Sequence, residues 1–159
     1  MALRAADLRS RPTPAVEYRR ILVPLVPGEE SEKAMSIACQ LAAEHGASVT
    51  AFTAIEVPSE LPLDCHMLDE EAEAKRLLAE AQAIGDTYGV SVAPRVVRAR
   101  WAGPAIVEEA SGDSTEIIVL RAPRKERASS RAPIFGLTVD HVLKHAPCRV
   151  LVAASRAES

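Results

Sequence analysis

Residues 116–154 read EIIVLRAPRKERASSRAPIFGLTVDHVLKHAPCRVLVAA and contain two apolar runs separated by a polar loop and a periodic segment. An apolar run over residues 117–120 leads into a loop rich in Arg, Ser and Pro, which is followed by a periodic segment over 135–145 and an apolar run over 149–153. This order predicts a strand, a loop, a helix and another strand. Because crossovers between parallel strands are right-handed, the loop should lie at the carboxyl end of the sheet, where open α/β sheets bind ligands.

The rest of the chain repeats the same alternation. Residues 21–26 form a continuous apolar run, an apolar stripe at helical spacing follows as far as Gly46, and residues 48–55 are rich in β-forming types. The remaining predicted elements are a helix over 69–88, a strand over 90–97 and a short helix starting at Gly103 and Pro104. The sequence therefore predicts a single α/β domain with a doubly wound, five-stranded parallel sheet, strand order 3-2-1-4-5 and helices on both faces.

Two prolines bear on this strand order. Pro94 lies in the third strand, and since proline lacks a backbone donor it favours an edge position, as the order requires. Pro24 lies in the first strand, which the same order places at the centre of the sheet. The sequence alone leaves that second position in conflict with the prediction.

Composition limits the classes of function. The chain has 159 residues, of which 48% are apolar, and this predicts one domain over residues 19–154 between a flexible leader, 1–18, and a tail, 155–159. A net charge of −3 argues against binding to nucleic acid, although the five arginines in residues 1–20 keep a membrane-surface protein as a weaker alternative. Three scattered cysteines without C-x-x-C spacing predict reduced thiols and a cytoplasmic protein.

Catalytic and metal-binding patterns find little support. The sequence contains no G-x-S-x-G, H-E-x-x-H or Walker motif, so we expect no enzyme. The adjacent Asp64, Cys65 and His66 fit no ligand spacing, and His141 with His145 lacks a third ligand, so we expect no metal. Cys148 should be buried and inert where it enters the last strand.

Several segments together resemble the universal stress protein family. They are ILVPL at 21–25, GASV at 46–49 and, above all, FGLTVDHVLKHAPCRVLV at 135–152. The resemblance implies a fold of the adenine nucleotide alpha hydrolase-like type and a homodimer formed through the last strand, Arg149 to Ala153. More narrowly, VEYRRI at 16–21, VPSELPL at 57–63 and APRK at 122–125 are similar to the version appended to amino-acid permeases, which implies a membrane transporter as a further partner.

The family's ATP-binding pattern is degenerate in this chain. The pattern has Asp directly after the first strand, where this chain has Val26 followed by Pro27. After the fourth strand it has G-x2-G-x9-G-(S/T), and counting back from Gly136 gives the corresponding residues, which are Pro123, Glu126 and Leu137. Proline offers no N–H to a phosphate and a glutamate repels one, so standard ATP binding is opposed.

What remains near this loop is Thr138 and a set of cations that includes Arg124. Through such side chains some other phosphate or anionic ligand stays open. We expect a non-catalytic regulatory domain that works by association and needs no cofactor. The alternative is a stress-response switch that binds ATP with Mg²⁺ and hydrolyses it slowly or not at all.

Overall fold

The strands and helices alternate along the whole described chain. The computed structural model describes residues 18–26, 31–122 and 136–154. The elements in order are β1 (Arg20–Leu25), α1 (Glu32–His45), β2 (Ser48–Glu56), α2 (Leu68–Tyr88), β3 (Val92–Ala99), α3 (Ala102–Gly112), β4 (Ile117–Arg121), α4 (Leu137–His145) and β5 (Arg149–Ala153). Several ends differ from the sequence prediction by one or two residues, as expected where helices and strands fray.

The five strands form one parallel sheet in the order β3-β2-β1-β4-β5, which confirms the predicted topology. Helices α1 and α2 cover one face, where their small and branched apolar side chains meet alternate residues of β1 and β2. Helices α3 and α4 cover the other face around Leu22, Phe52 and Ile118. Because both faces are covered, the central strands are apolar at successive positions instead of alternating.

The direction of its neighbours explains how Pro24 fits in a central strand. The N–H of Ser48 donates to the Arg19 carbonyl, whereas that of Glu116 donates to the Arg20 carbonyl. Odd residues of β1 therefore face β2 and even residues face β4, since both backbone groups of a residue in a parallel strand point to one neighbour. Pro24 faces β4, and the register between β1 and β4 ends two residues earlier, at Leu22 and Ile118. The missing donor thus costs no bond in the β1–β2 ladder.

The two edge strands differ in what they present outward. In β3 the Ala99 carbonyl accepts from the N–H of Val57, so odd residues face β2 and Pro94 faces away from the sheet. In β5 the Ala153 carbonyl accepts from Ala122, so the N–H groups of Val150 and Val152 face away from β4. Pro94 thus removes one outward backbone donor from the edge strand β3, while the edge strand β5 keeps the outward donors of Val150 and Val152.

The edge position of β5 also corrects one expectation. Cys148, which precedes this strand, is only half-buried, although the sequence predicts a buried thiol. Only one neighbouring strand, β4, covers this end of the described sheet. A residue beside an edge strand therefore keeps part of its surface exposed.

Candidate functional site

The carboxyl ends of β1 and β4 separate, and a crevice opens beside them. After Leu22 no further pair joins these two strands, although β1 continues beside β2 as far as Leu25 and Thr53. Pro24 points toward β4 without a donor, so the ladder cannot continue through its nitrogen. The reversal of strand order at β1 and β4 is the place where open α/β sheets bind ligands.

A cavity of about 300 Å³ lies at this end of the sheet. It is framed by the ends of β1 and β2, by one turn each of α2 and α3, and by the first turn of α4. The lining residues are Pro24, Leu25, Val26, Phe52, Thr53, Ala54, Ile55, Glu56, Glu70, Ala74, Ala102, Ile106 and Thr138. A mostly apolar wall with a few polar groups is typical of a small-molecule site, and this volume is at the lower end of the usual range.

The polar groups of the wall are two hydroxyls and two carboxylates. The buried Thr53 hydroxyl donates to the Leu25 carbonyl oxygen at 3.1 Å and so ties the ends of β1 and β2 together. The exposed Glu56 carboxylate accepts from the N–H of Ala102 at 3.1 Å, which places an acid at the N-terminus of α3, where the helix dipole favours it. Glu70 and Thr138 complete the set, and none of the described residues that line the cavity is Lys or Arg.

The predicted site residues divide into three groups. Val26 and Thr138 both line the cavity, and Val26 is 39% exposed at its rim. Gly136 precedes α4 as its N-cap with φ 80° and ψ 162°, a conformation open almost only to glycine, while Leu137 is 66% exposed. The other predicted residues lie outside the described residues, and they are Pro27, Pro123, Arg124 and Glu126.

Sequence reasoning missed the contribution of β2 and α2. It considered only the loops after the first and fourth strands, whereas Thr53, Glu56 and Glu70 bring the polar groups from elsewhere. A signal for Thr53 was present, because a hydroxyl interrupts the apolar run of the strand next to β1. No comparable signal marked Glu70, which is one of nine acids between residues 56 and 86.

The segment after β2 is fixed beside the cavity by arginines from the end of β3. The Arg100 guanidinium donates to three carbonyl oxygens, those of Val57 at 3.3 Å, Pro58 at 2.6 Å and Leu61 at 2.7 Å. Arg98 pairs with Glu71 on α2 and donates to the Asp64 carbonyl. The excursion over residues 57–67 is therefore held by side chains from the neighbouring strand.

The aromatic and thiol groups that stand out in the sequence lie apart from the cavity wall. The rings of His141 and His145 are tilted by 39° with centroids 4.4 Å apart, and Trp101 meets His141 edge-on at 4.7 Å. His66 lies 3.5 Å from the Glu71 carboxylate, and Cys65 contacts the His66 carbonyl oxygen. Within residues 18–26, 31–122 and 136–154, no three side chains of the metal-ligating types come together.

None of the helices within the described ranges is long and apolar enough to cross a membrane. The sheet order, the crevice at the strand reversal and the small cavity beside it define a doubly wound α/β domain with a ligand-binding geometry at its carboxyl edge.

The comparisons with known proteins then identify the family. The model of the universal stress protein family matches residues 17–154, so the chain belongs to that family. Among curated proteins, none matches this chain.

Three solved structures illustrate how similar the fold is. UspA from Lactobacillus plantarum is 23% identical with a TM-score of 0.69, over 86% of this chain and 97% of that one. A universal stress protein from Archaeoglobus fulgidus in complex with dAMP is 20% identical with a TM-score of 0.67, over 86% and 98%. Another universal stress protein, in complex with cAMP, is 20% identical with a TM-score of 0.68, over 86% and 97%. Identities this low establish the shared fold alone.

Proposed function

We propose that this universal stress protein domain acts by association, as a non-catalytic regulatory domain that forms a homodimer through β5 and does not hold ATP in the family's usual way. The observation that carries the proposal is the contrast between the two sheet edges. Pro94 removes an outward donor from β3, whereas Val150 and Val152 keep theirs on β5. An apolar edge with outward donors is a template for pairing with another strand.

The composition of β5 supports a second copy of this chain as the partner. Val150, Leu151 and Val152 are all half-buried, although apolar residues of the central strands are buried almost completely. A second β5 would cover the exposed part of these side chains and accept the outward N–H groups. Two identical edges brought together by a two-fold axis satisfy each other, because every contact from one copy to the second is repeated in the opposite direction.

The chemistry of the cavity supports the second half of the proposal. Val26 occupies the position where the family pattern has an aspartate, and its side chain cannot accept hydrogen bonds from a nucleotide. Glu56 and Glu70 line the same cavity, so its wall carries negative charge that disfavours an anionic ligand. The described wall provides no Lys or Arg to offset that charge.

The competing function is a nucleotide-binding switch, and the comparisons favour it as the second candidate. Two of the similar structures hold dAMP and cAMP, which carry one phosphate each. A monophosphate needs fewer hydrogen-bond donors from the protein than a triphosphate does, because it has fewer phosphate oxygens and less charge. A largely apolar cavity of about 300 Å³ also suits a flat base.

Calorimetry with the purified full chain separates these two functions. Titrations with ATP and Mg²⁺, AMP and cAMP should give no binding in the micromolar range. Micromolar affinity for ATP with Mg²⁺ would overturn the proposal, and affinity for the monophosphates alone would favour the switch. Sedimentation velocity on the same sample tests the homodimer, which a monomer at all concentrations would exclude.

A transporter is the further partner that we propose, in the cytoplasm at the inner face of a membrane. This part of the proposal rests on the sequence resemblance of residues 16–21, 57–63 and 122–125 to permease-appended domains. Amino-acid uptake should change when the chain is deleted from cells and recover when it is restored. Unchanged uptake of every amino acid would contradict it.

A further inference from the structure

The wall of the cavity has a charge pattern that selects among small ligands. Of its four polar side chains, two are carboxylates, Glu56 and Glu70, and both are exposed at the mouth. Neither carboxylate forms an ion pair with any of the described residues. The mouth is therefore negative, while the interior, around Phe52 and Ile106, is apolar.

The hydroxyls add acceptors but few donors. Thr53 already uses its hydroxyl proton on the Leu25 carbonyl, so toward a ligand its oxygen can only accept. Glu56 accepts one bond from Ala102 and has further acceptor capacity on the same carboxylate. A ligand that brings donors or positive charge would find partners here, whereas the described wall offers a negative group only the Thr138 hydroxyl and the N-terminus of α4.

We propose that the cavity binds a small, mainly apolar molecule that carries a protonated amine, with the apolar part against the wall that includes Phe52 and Ile106 and the ammonium group at Glu56 and Glu70. This inference rests on the proposed function, because it takes the same cavity as one not used for a triphosphate. A unit charge about 4 Å from a carboxylate gains about fivefold in affinity even in water. Two carboxylates at the mouth increase that preference.

Three probes of nearly equal size test the charge preference directly. They are 2-phenylethylamine, 2-phenylethanol and 3-phenylpropionate, which are cationic, neutral and anionic at pH 7. Each is titrated into the ¹⁵N-labelled full chain, and the amide shifts of Ala54, Ala102 and Ile106 report occupancy of the cavity. We expect the amine to bind roughly 25-fold more tightly than the carboxylate, with the alcohol between them, because the cation gains and the anion loses about fivefold relative to a neutral probe.

Two further measurements attribute the preference to the named residues. The difference in affinity between the amine and the carboxylate should become smaller in about 0.5 M sodium chloride, because salt screens the charges of the exposed glutamates. Glu70→Gln should lower the affinity for the amine and leave that for the alcohol unchanged. Glu60→Gln is the matched control, since Glu60 is equally exposed but does not line the cavity.

The outcomes separate this inference from the proposed function. Equal affinities for the three probes, a preference for the carboxylate, shifts away from the cavity or no shifts at all would each overturn the inference. An amine preference together with micromolar ATP binding would overturn the proposed function and leave the inference standing. Absence of both the amine preference and ATP binding would leave the proposed function standing and remove the inference.

Discussion

The hydroxyl of Thr53 on β2 donates to the carbonyl oxygen of Leu25 on β1 at 3.1 Å, and both residues line the cavity. The bond lies just where β1 loses its pairing with β4, so it stabilises a strand end that has only one neighbour. A single buried hydroxyl thereby supports the wall of the crevice.

Thr53→Val should destabilise the fold by about 0.5–1.5 kcal/mol, because the shape is retained while the Leu25 carbonyl loses the hydroxyl donor and keeps only its bond in the β1–β2 ladder. Denaturant unfolding followed by circular dichroism measures the change. Thr50→Val, three residues earlier on the same strand and half-buried, is the control and should change stability by less. Equal losses of unfolding free energy at the two positions would show that the hydrogen bond between Thr53 and Leu25 contributes no additional stability.

Gly85 allows α2 to approach β3 closely. A methyl group there would lie 2.4 Å from a side-chain carbon of Val92 and 2.8 Å from the Val90 carbonyl oxygen. Gly85→Ala should therefore cost about 1–3 kcal/mol of unfolding free energy through overpacking. Gly112→Ala is the matched control at the end of α3, where nothing lies within 4 Å, and it should be neutral or slightly stabilising. A tolerated Gly85→Ala would contradict the close approach.

Arg100 should control the mobility of residues 57–67. Replacing it with Lys keeps the charge, but all three carbonyl oxygens accept from the terminal Nη1 atom, and the lysine side chain is one atom too short to place its nitrogen there. The Leu61 amide, which donates to the Pro58 carbonyl, should exchange its hydrogen roughly tenfold faster. Arg95→Lys, whose arginine pairs with Glu109 away from this loop, should leave that rate unchanged. An unaltered rate in Arg100→Lys would show that the loop is held by other contacts.

Burial raises the pKa of the Cys39 thiol above its ordinary value of 9.0. The folded state then keeps a proton that the unfolded state loses, so stability is full below pH 9 and falls as pH rises above it. Cys148 acts in the same direction, because burial raises its pKa against a smaller opposing effect of a hydrogen bond from the Ile118 backbone. Unfolding free energies measured from pH 8 to about 10.5 should fall less steeply in Cys39→Ala and least in the double alanine variant. A double variant with the wild-type slope would refute the assignment.

Val152→Pro should weaken the proposed homodimer. It removes a donor that faces away from β4, and an edge strand tolerates proline at such a position. The dimer dissociation constant from sedimentation equilibrium should rise at least about tenfold, with the monomer fold preserved in circular dichroism. The control is Val96→Pro on β3, where the outward edge already carries Pro94 at the preceding even position. Equal weakening by both variants would place the interface elsewhere or show only a general loss of folding.

Much of the fold follows from local patterns. Apolar runs of strand length alternate with helical stripes, and this alternation predicts the parallel sheet and its order. Pro94 predicted the edge position of β3, because a proline removes a backbone donor and is therefore favoured at the edge of a sheet. Pro24 could not be interpreted in this way, since its effect depends on which neighbour it faces, and that is set by the register with two other strands.

The candidate site was predictable only in part for a similar reason. Val26 directly follows β1 and Thr138 lies in the first turn of α4, and the sequence locates both of these element ends. Both residues lie at the cavity. Glu70 is remote in sequence from either, and among many surface acids nothing distinguished it. Its place at the cavity follows from the packing of α2 against β2 and β3.

By itself, then, the sequence determined the alternation of strands and helices, the strand order and the absence of an acid after the first strand, because each of these depends on residue type and spacing along the chain. Only the tertiary structure decided that Pro24 opens a crevice, that the Thr53 hydroxyl ties two strand ends together, and that two carboxylates share one small cavity. Those relationships join residues far apart in the chain, and they arise only when the register of the sheet and the packing of the helices bring them within contact distance.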